Sequence, residues 1–408
     1  MHFVKLAGLA SLLAASSLAR GTETSELKAI TRHYSELVAH SYQRSLATAN
    51  ALETAVQQFT AKPSAETLEQ AKKAWVKARM AYGLTEAFRF YEGPIDHPAD
   101  GPEGLLNAWP LDEAYIDYTD MAPNSGIINN PSDYPTITKD LLVNLNERNG
   151  EKNIATGYHA IEFLLWGQDR SNNAPNADSA GVRSWQDYLT ASNATAPNGR
   201  RRGVYLVTVT DLLTDHLAQL VAAWDLSDPA SYANTFINAD PKTSLKKILN
   251  GIGTLSFGEL AGERMFVAVD EMDQEHEQSC FSDMTHLDVL ANNQGIVNVL
   301  FGDYQVIAFT APHEQSWQID ANSGAFAKGP SIYSYLVEYR PALASRLRNV
   351  TQTTVKSLQQ VPVPFDNAIT NQPDAILQGV MAARSQGTFI QELGRSAFGL
   401  DIELGVGD

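Results

Sequence analysis

An all-α architecture is predicted, built of two helical-bundle halves with long ordered loops, and two observations carry that prediction. Apolar residues recur at three- and four-residue spacing through long segments filled with good helix formers. No alternating strand pattern runs beyond very short pieces. With 408 residues and 44% apolar side chains, the chain can bury a sizeable core.

The chain opens on a leader. Met1–Lys5 give a basic head, Leu6–Leu13 an apolar run, and Ser17 and Ala19 the small pair before a cleavage point. Residues 1–20 are therefore expected to be an export signal. No later stretch is apolar for long enough to span a bilayer, so the mature chain is expected to have no transmembrane span and to be periplasmic or envelope-associated.

Helical periodicity then covers Glu26–Phe59, Ala65–Tyr91, Gly203–Trp224, Leu245–Glu277 and Ile332–Gln360. Each is expected to bury one stripe in a bundle. Two irregular regions interrupt them. Gly93–Pro135 holds seven of the 18 prolines, together with Trp109, Tyr115 and Tyr118, which suggest a loop that packs. Arg170–Gly181 is rich in Asn and Asp. The stretch 226–243, with Asp228-Pro229 and Asp240-Pro241 as breakers, is the expected linker between an N-terminal half, 21–225, and a C-terminal half, 244–408. A faint echo links them: Arg79-Met80 with Glu86, and Arg264-Met265 with Glu271 at the same offset, which raises the idea of a duplication.

Composition removes several functions. A net charge of -17 opposes binding to a phosphate backbone, so no nucleic-acid partner is expected. A single cysteine, Cys280, excludes disulfide frameworks and thiolate metal sites. The serine-hydrolase elbow, the phosphate loop and the H-E-x-x-H helix are all missing.

Three segments retain chemical interest. In Gly157–Gly167, His159 and Glu162 are three residues apart and share a helix face, while the apolar neighbours cover nearly the whole circumference. An unpaired buried Glu costs several kcal/mol, so Glu162 requires a cation, an arginine, protonation, or simply His159 and a neighbouring helix. In Ala74–Tyr91, the residues Trp75, Arg79, Tyr82, Glu86 and Arg89 form one stripe that alternates aromatic and charged groups. Buried ion-pair networks look like this, and so do metal sites with supporting arginines. In Glu275–Asp288, Glu, His, Ser and Asp crowd a helix start near Met284, where Ser282 or Asp283 can cap. The same groups suit iron, manganese or zinc, or form a plain polar cap. Cys280 fits a buried small hydrophobe as well as a reactive thiol.

The residues Gly157-Tyr158-His159-Ala160-Ile161-Glu162 resemble the G-x-H-x-x-E signature of the imelysin family. Ala74–Arg79, Thr85–Arg89 and Gly93–Asp96 resemble its N-terminal block. Gly262–Met265, Ser279–Asp283 and Thr285-His286 resemble its iron-regulated protein A branch. The resemblance implies two bundle-like halves with the signature near their interface, an envelope location, and a role in iron acquisition with envelope partners of iron uptake. It also implies a peptidase, since the family name derives from a proposed metallopeptidase.

A peptidase centre needs three protein ligands, an activated water and a base, whereas ion binding needs fewer parts. The leading expectation is therefore a non-enzymatic protein that binds iron or an iron compound, with zinc less expected. His159 and Glu162 would be ligands, Glu86 and Asp283 additional ones, and Arg79, Arg89, Arg264 and His286 supporting groups. A metallopeptidase using His159 and Glu162 is the second expectation. A module in which the pair is purely structural is the third.

Overall fold

The computed structural model describes residues 3–169, 180–190, 192–309, 317–320 and 326–405. The side chains of residues 1–22 lie outside the described residues, so of the expected leader 1–20 only the helical backbone from Phe3 is described; most of the interruption Arg170–Gly181 lies outside them too.

The fold is all-α. Helix α1 (Phe3–Ala61) buries Leu27, Ile30, Tyr34, Leu37, Leu52, Val56 and Phe59 along one stripe. That stripe packs on α2 (Ala65–Gly83) and, further along the chain, α7 (Gly199–Ala223). A capping box in which Ser64 and Thr67 exchange bonds starts α2. Its last turn tightens into the 3₁₀ turn Leu84–Phe88, and Arg89 leaves in extended conformation.

Between α2 and α7 run the short helices α3 (Glu103–Leu106), α4 (Glu113–Ile116) and α5 (Lys139–Leu145), then α6 (Gly157–Trp166). The proline-rich loop packs down: Tyr115 donates to the Leu145 carbonyl and Tyr118 to Asp187. The stretch 226–243 contains α8 (Tyr232–Asn238), whose Phe236 is buried against Tyr34 and Trp224.

Helix α9 (Pro241–Thr254), capped by Asp240 with Pro at its first position, continues through a π-helical segment, Leu255–Phe266, into α10 (Val267–Glu271). After α11 (Thr285–Phe301), two short antiparallel strands, Val306–Phe309 and Trp317–Asp320, pair with Val306 opposite Asp320. Next come α12 (Ile332–Tyr339), α13 (Pro341–Leu358), α14 (Phe365–Asn371) and α15 (Pro373–Leu393). Here the structure corrects the sequence reading: Ile332–Gln360 is two helices. Pro341 has no N–H and its ring excludes the preceding turn, so the chain breaks at Arg340 and α13 starts on the proline.

Helix α15 packs on α13, α9 and the π segment, while α11 lies across the end of α2 and the Leu84–Phe88 turn. Gly295 makes that crossing close, because a Cβ there would meet the Leu84 carbonyl. Residues from both ends of the chain thus share one interior around α6 and α11. The Arg79/Glu86 echo does not repeat in three dimensions. Glu86 is buried, whereas Glu271 is exposed and pairs with His276.

Candidate functional site

Helix α6 is fixed from both ends. Gly157 opens it at φ 82°, and a Cβ there would stand 2.5 Å from the Leu106 carbonyl oxygen, so only glycine fits. Gly167 closes it at φ 77°. Between them the Trp75 indole donates to the Tyr158 carbonyl at 3.0 Å, and the Tyr188 hydroxyl donates to the Leu164 carbonyl at 2.6 Å. Every residue of α6 is buried.

His159 and Glu162 meet inside this helix. His159 Nδ1 lies 2.9 Å from Glu162 Oε2, and both side chains are fully shielded. The other carboxylate oxygen, Oε1, accepts from the Ser282 N–H at 3.0 Å and from its hydroxyl at 2.6 Å. His159 Nε2 has no hydrogen-bond partner among the described residues. Its ring packs on Trp109 at 4.8 Å, and the Trp109 indole N–H is likewise unpartnered among them. Burial drives the imidazole well below its usual pKa, and Arg79 and Arg264 add to that. Burial also lifts the Glu162 carboxyl, against the Ser282 bonds and Arg79, with Asp288 pushing the same way as burial. The ring is therefore neutral. When Glu162 is ionised, Nδ1 carries the proton and Nε2 offers a lone pair; when Glu162 is protonated, the bond reverses and Nε2 carries the hydrogen.

Glu86 belongs to a separate ion network. Its Oε2 accepts from Arg89 at 3.0 Å and from Arg264 at 2.7 Å. Arg264 also binds Glu259 at 2.6 Å, and Arg89 binds Glu103 at 3.1 Å. Arg79 holds Asp288 at 2.8 Å and donates to Asn107. Burial would raise the Glu86 carboxyl, but Arg89, Arg264 and Arg79 together outweigh it and pull it below the usual range. A carboxylate clamped this way has no reason to leave its arginines for a metal.

Asp283 lies elsewhere again. Its carboxylate oxygen groups with those of Asp169 and Asp366, all within 4.8 Å of one another. Neighbouring residues part company here: Ser282 binds Glu162, while Asp283, at φ 56°, joins the other acids. The expected cap is corrected too. Helix α11 is preceded by Met284 with no side-chain cap, because Ser282 is committed to Glu162. His286 is buried on the first turn of α11. Cys280 is buried, and burial with nearby acids pushes its thiol well up, so it packs as a small hydrophobe.

The ligand set His159, Glu162, Glu86 and Asp283 therefore does not come together. Glu162 orients His159, Glu86 is held by arginines, and Asp283 belongs to another group. A single imidazole nitrogen does not make a resident metal centre of the peptidase kind. Sequence reasoning also passed over a second buried network: Asp117 binds Arg202 at 2.6 Å and Arg183 at 2.9 Å, tying the proline-rich loop to α7. These residues are scattered along the chain and leave no local pattern. A cleft of about 220 Å³ lined by Tyr118, Trp166, Gln168, Arg183 and Asp187 opens at the end of α6.

The family model for imelysin matches residues 38–384. The chain belongs to the imelysin family. It is 24% identical over 373 residues to iron-regulated protein A of Synechococcus elongatus, covering 90% of this chain and 83% of that protein. Two crystal structures share the imelysin fold. One, described as an iron-regulated protein A precursor from Parabacteroides distasonis, has a TM-score of 0.67 at 17% identity and covers 91% of this chain and 95% of that one. The other, an imelysin-like protein from Psychrobacter arcticum, has a TM-score of 0.61 at 12% identity and covers 93% of this chain and 98% of that one. No helix among the described residues of this imelysin is long and apolar enough to cross a membrane.

Proposed function

We propose that this imelysin is an exported protein of iron acquisition that receives an iron compound as cargo through His159 Nε2. The observation that supports the reading is the unpartnered, fully buried Nε2 on a ring whose other nitrogen is held by Glu162. A bare ion would need several protein donors; an iron chelate brings its own ligands and needs only one more. The carboxylate behind the imidazole fixes ring orientation and raises its basicity, as it does behind metal-bound histidines generally. Trp109, partly exposed and in contact with the ring, is the group such a chelate would meet. The leader-like residues 1–20 and the relationship to iron-regulated protein A support the exported, iron-related part.

Ferric citrate titrated into the full chain and into His159→Ala is the test. At least tenfold weaker binding by the variant is expected, equivalent to about 1.4 kcal/mol. Equal affinity in two folded proteins removes His159 from the role.

A further inference from the structure

We propose that the cleft at the end of α6 binds a small hydroxycarboxylate, taken side-on by the guanidinium of Arg183. The site is separate from His159 and does not rest on the iron reading.

Arg183 is buried, with its side chain 2% exposed, yet it forms part of the cleft wall. The rings of Tyr118, at 5.3 Å, and Phe163, at 5.1 Å, pack on its guanidinium. Its bonds to carboxylates both leave from Nη1, to Asp117 at 2.9 Å and to Asp187 at 3.4 Å. Nε has no hydrogen-bond partner among the described residues. An enclosed guanidinium N–H without an acceptor is costly, so this donor calls for one. Gly167 lines the cleft as well, and a Cβ on it would lie 3.5 Å from Nε, which puts the unpartnered donor at the cleft wall. The Nε and Nη2 donors of a guanidinium run parallel and match the two oxygens of one carboxylate.

The acids already present do not fill that edge. Asp117 is shared between Arg183 and Arg202, and Asp187 accepts from the Tyr118 and Thr195 hydroxyls, each at 2.6 Å. Lys72 adds a cation, its Nζ 5.0 Å over the ring of Trp166, another wall of the cleft. Thr119, Gln168 and Ser184 complete the lining with hydroxyls and an amide, which suit a hydroxylated ligand better than an apolar one. A volume of about 220 Å³, the space of about seven waters in the liquid, limits the occupant to a small acid.

Calorimetric titration of iron-free L-malate into the full chain is the test. Binding with a Kd below about 1 mM is expected, weakening as added salt screens the charges. Arg183→Lys keeps a positive charge beside Asp117 but loses the fork, and is expected to bind at least about tenfold more weakly. Because that change also touches the buried network, Val182→Glu serves as the second variant. Val182 is 75% exposed at the rim and takes no part in the ion pairs. A carboxylate there is expected to repel malate and weaken it at least about threefold, with the melting temperature unchanged. His159→Ala is expected to bind malate as the wild type does, so this result and the iron result are read separately. A wild-type chain that takes up no malate at about 10 mM overturns the inference. Wild-type affinity in both rim and arginine variants overturns it too, and inorganic phosphate bound as tightly as malate overturns the assignment to a carboxylate.

Discussion

Replacing Glu162 by glutamine leaves the shape of the site intact and reverses the hydrogen bond that the ionised carboxylate makes with His159. In the wild type Oε2 can accept from His159 Nδ1 at 2.9 Å while Oε1 accepts twice from Ser282, at 3.0 and 2.6 Å. In Glu162→Gln the amide oxygen keeps the Ser282 bonds, and the amide NH₂ must donate to Nδ1. The ring proton then moves to Nε2, and the lone pair available to an iron compound is lost.

The stability cost is small because two effects oppose. An ionised carboxylate gains about 1 kcal/mol per bond over an amide, about 3 kcal/mol for three bonds. Removing a buried ion recovers several kcal/mol. The net at neutral pH is expected within about 1 kcal/mol of wild type. The pH dependence has a definite sign. Because the folded-state pKa of Glu162 is raised, its stabilising contribution is complete below the ordinary carboxylate range and lost as pH rises through the raised value. Glu162→Gln therefore gains on wild type as pH rises from the ordinary carboxylate range through the raised value.

Nitrogen-15 shifts of labelled histidine, with His159→Ala as the assignment control, report which ring nitrogen carries the proton. Ferric citrate titration reports the consequence, expected as at least a tenfold loss, or about 1.4 kcal/mol. A Glu162→Gln protein with wild-type affinity and an unprotonated Nε2 refutes the reasoning.

Two further outcomes follow from the same geometry. Gly157→Ala forces a side chain into a left-handed backbone and against the Leu106 carbonyl, and is expected to destabilise by about 2 kcal/mol or more in urea denaturation. Arg264→Gln strips one clamp from Glu86 and the 2.6 Å ion pair from Glu259, and is expected to cost about 3–5 kcal/mol as a broken buried pair. The depressed Glu86 pKa stabilises above the ordinary carboxylate range, and that contribution is lost as pH falls through the depressed value. The Arg264→Gln deficit should therefore narrow in acid, as measured by denaturation at two pH values.

The all-α class, the buried character of α6 and the pairing of His159 with Glu162 were legible in the sequence. Each is a local pattern: periodicity shows a buried face, and a three-residue spacing puts two side chains together. The glycine of the motif had a local cause too, a positive φ, but the Leu106 carbonyl that enforces it comes from the end of α3, some fifty residues earlier. Which carboxylate does what depended on tertiary structure. Glu86 and Asp283 look alike in sequence as oxygen donors. Arg264, 178 residues from Glu86, makes the first an ion-network anchor. Asp169 and Asp366 make the second part of an acidic group. Spacing along one helix fixes the neighbours of a side chain on that helix. The charges it meets across the interior are fixed by how helices distant in sequence pack together.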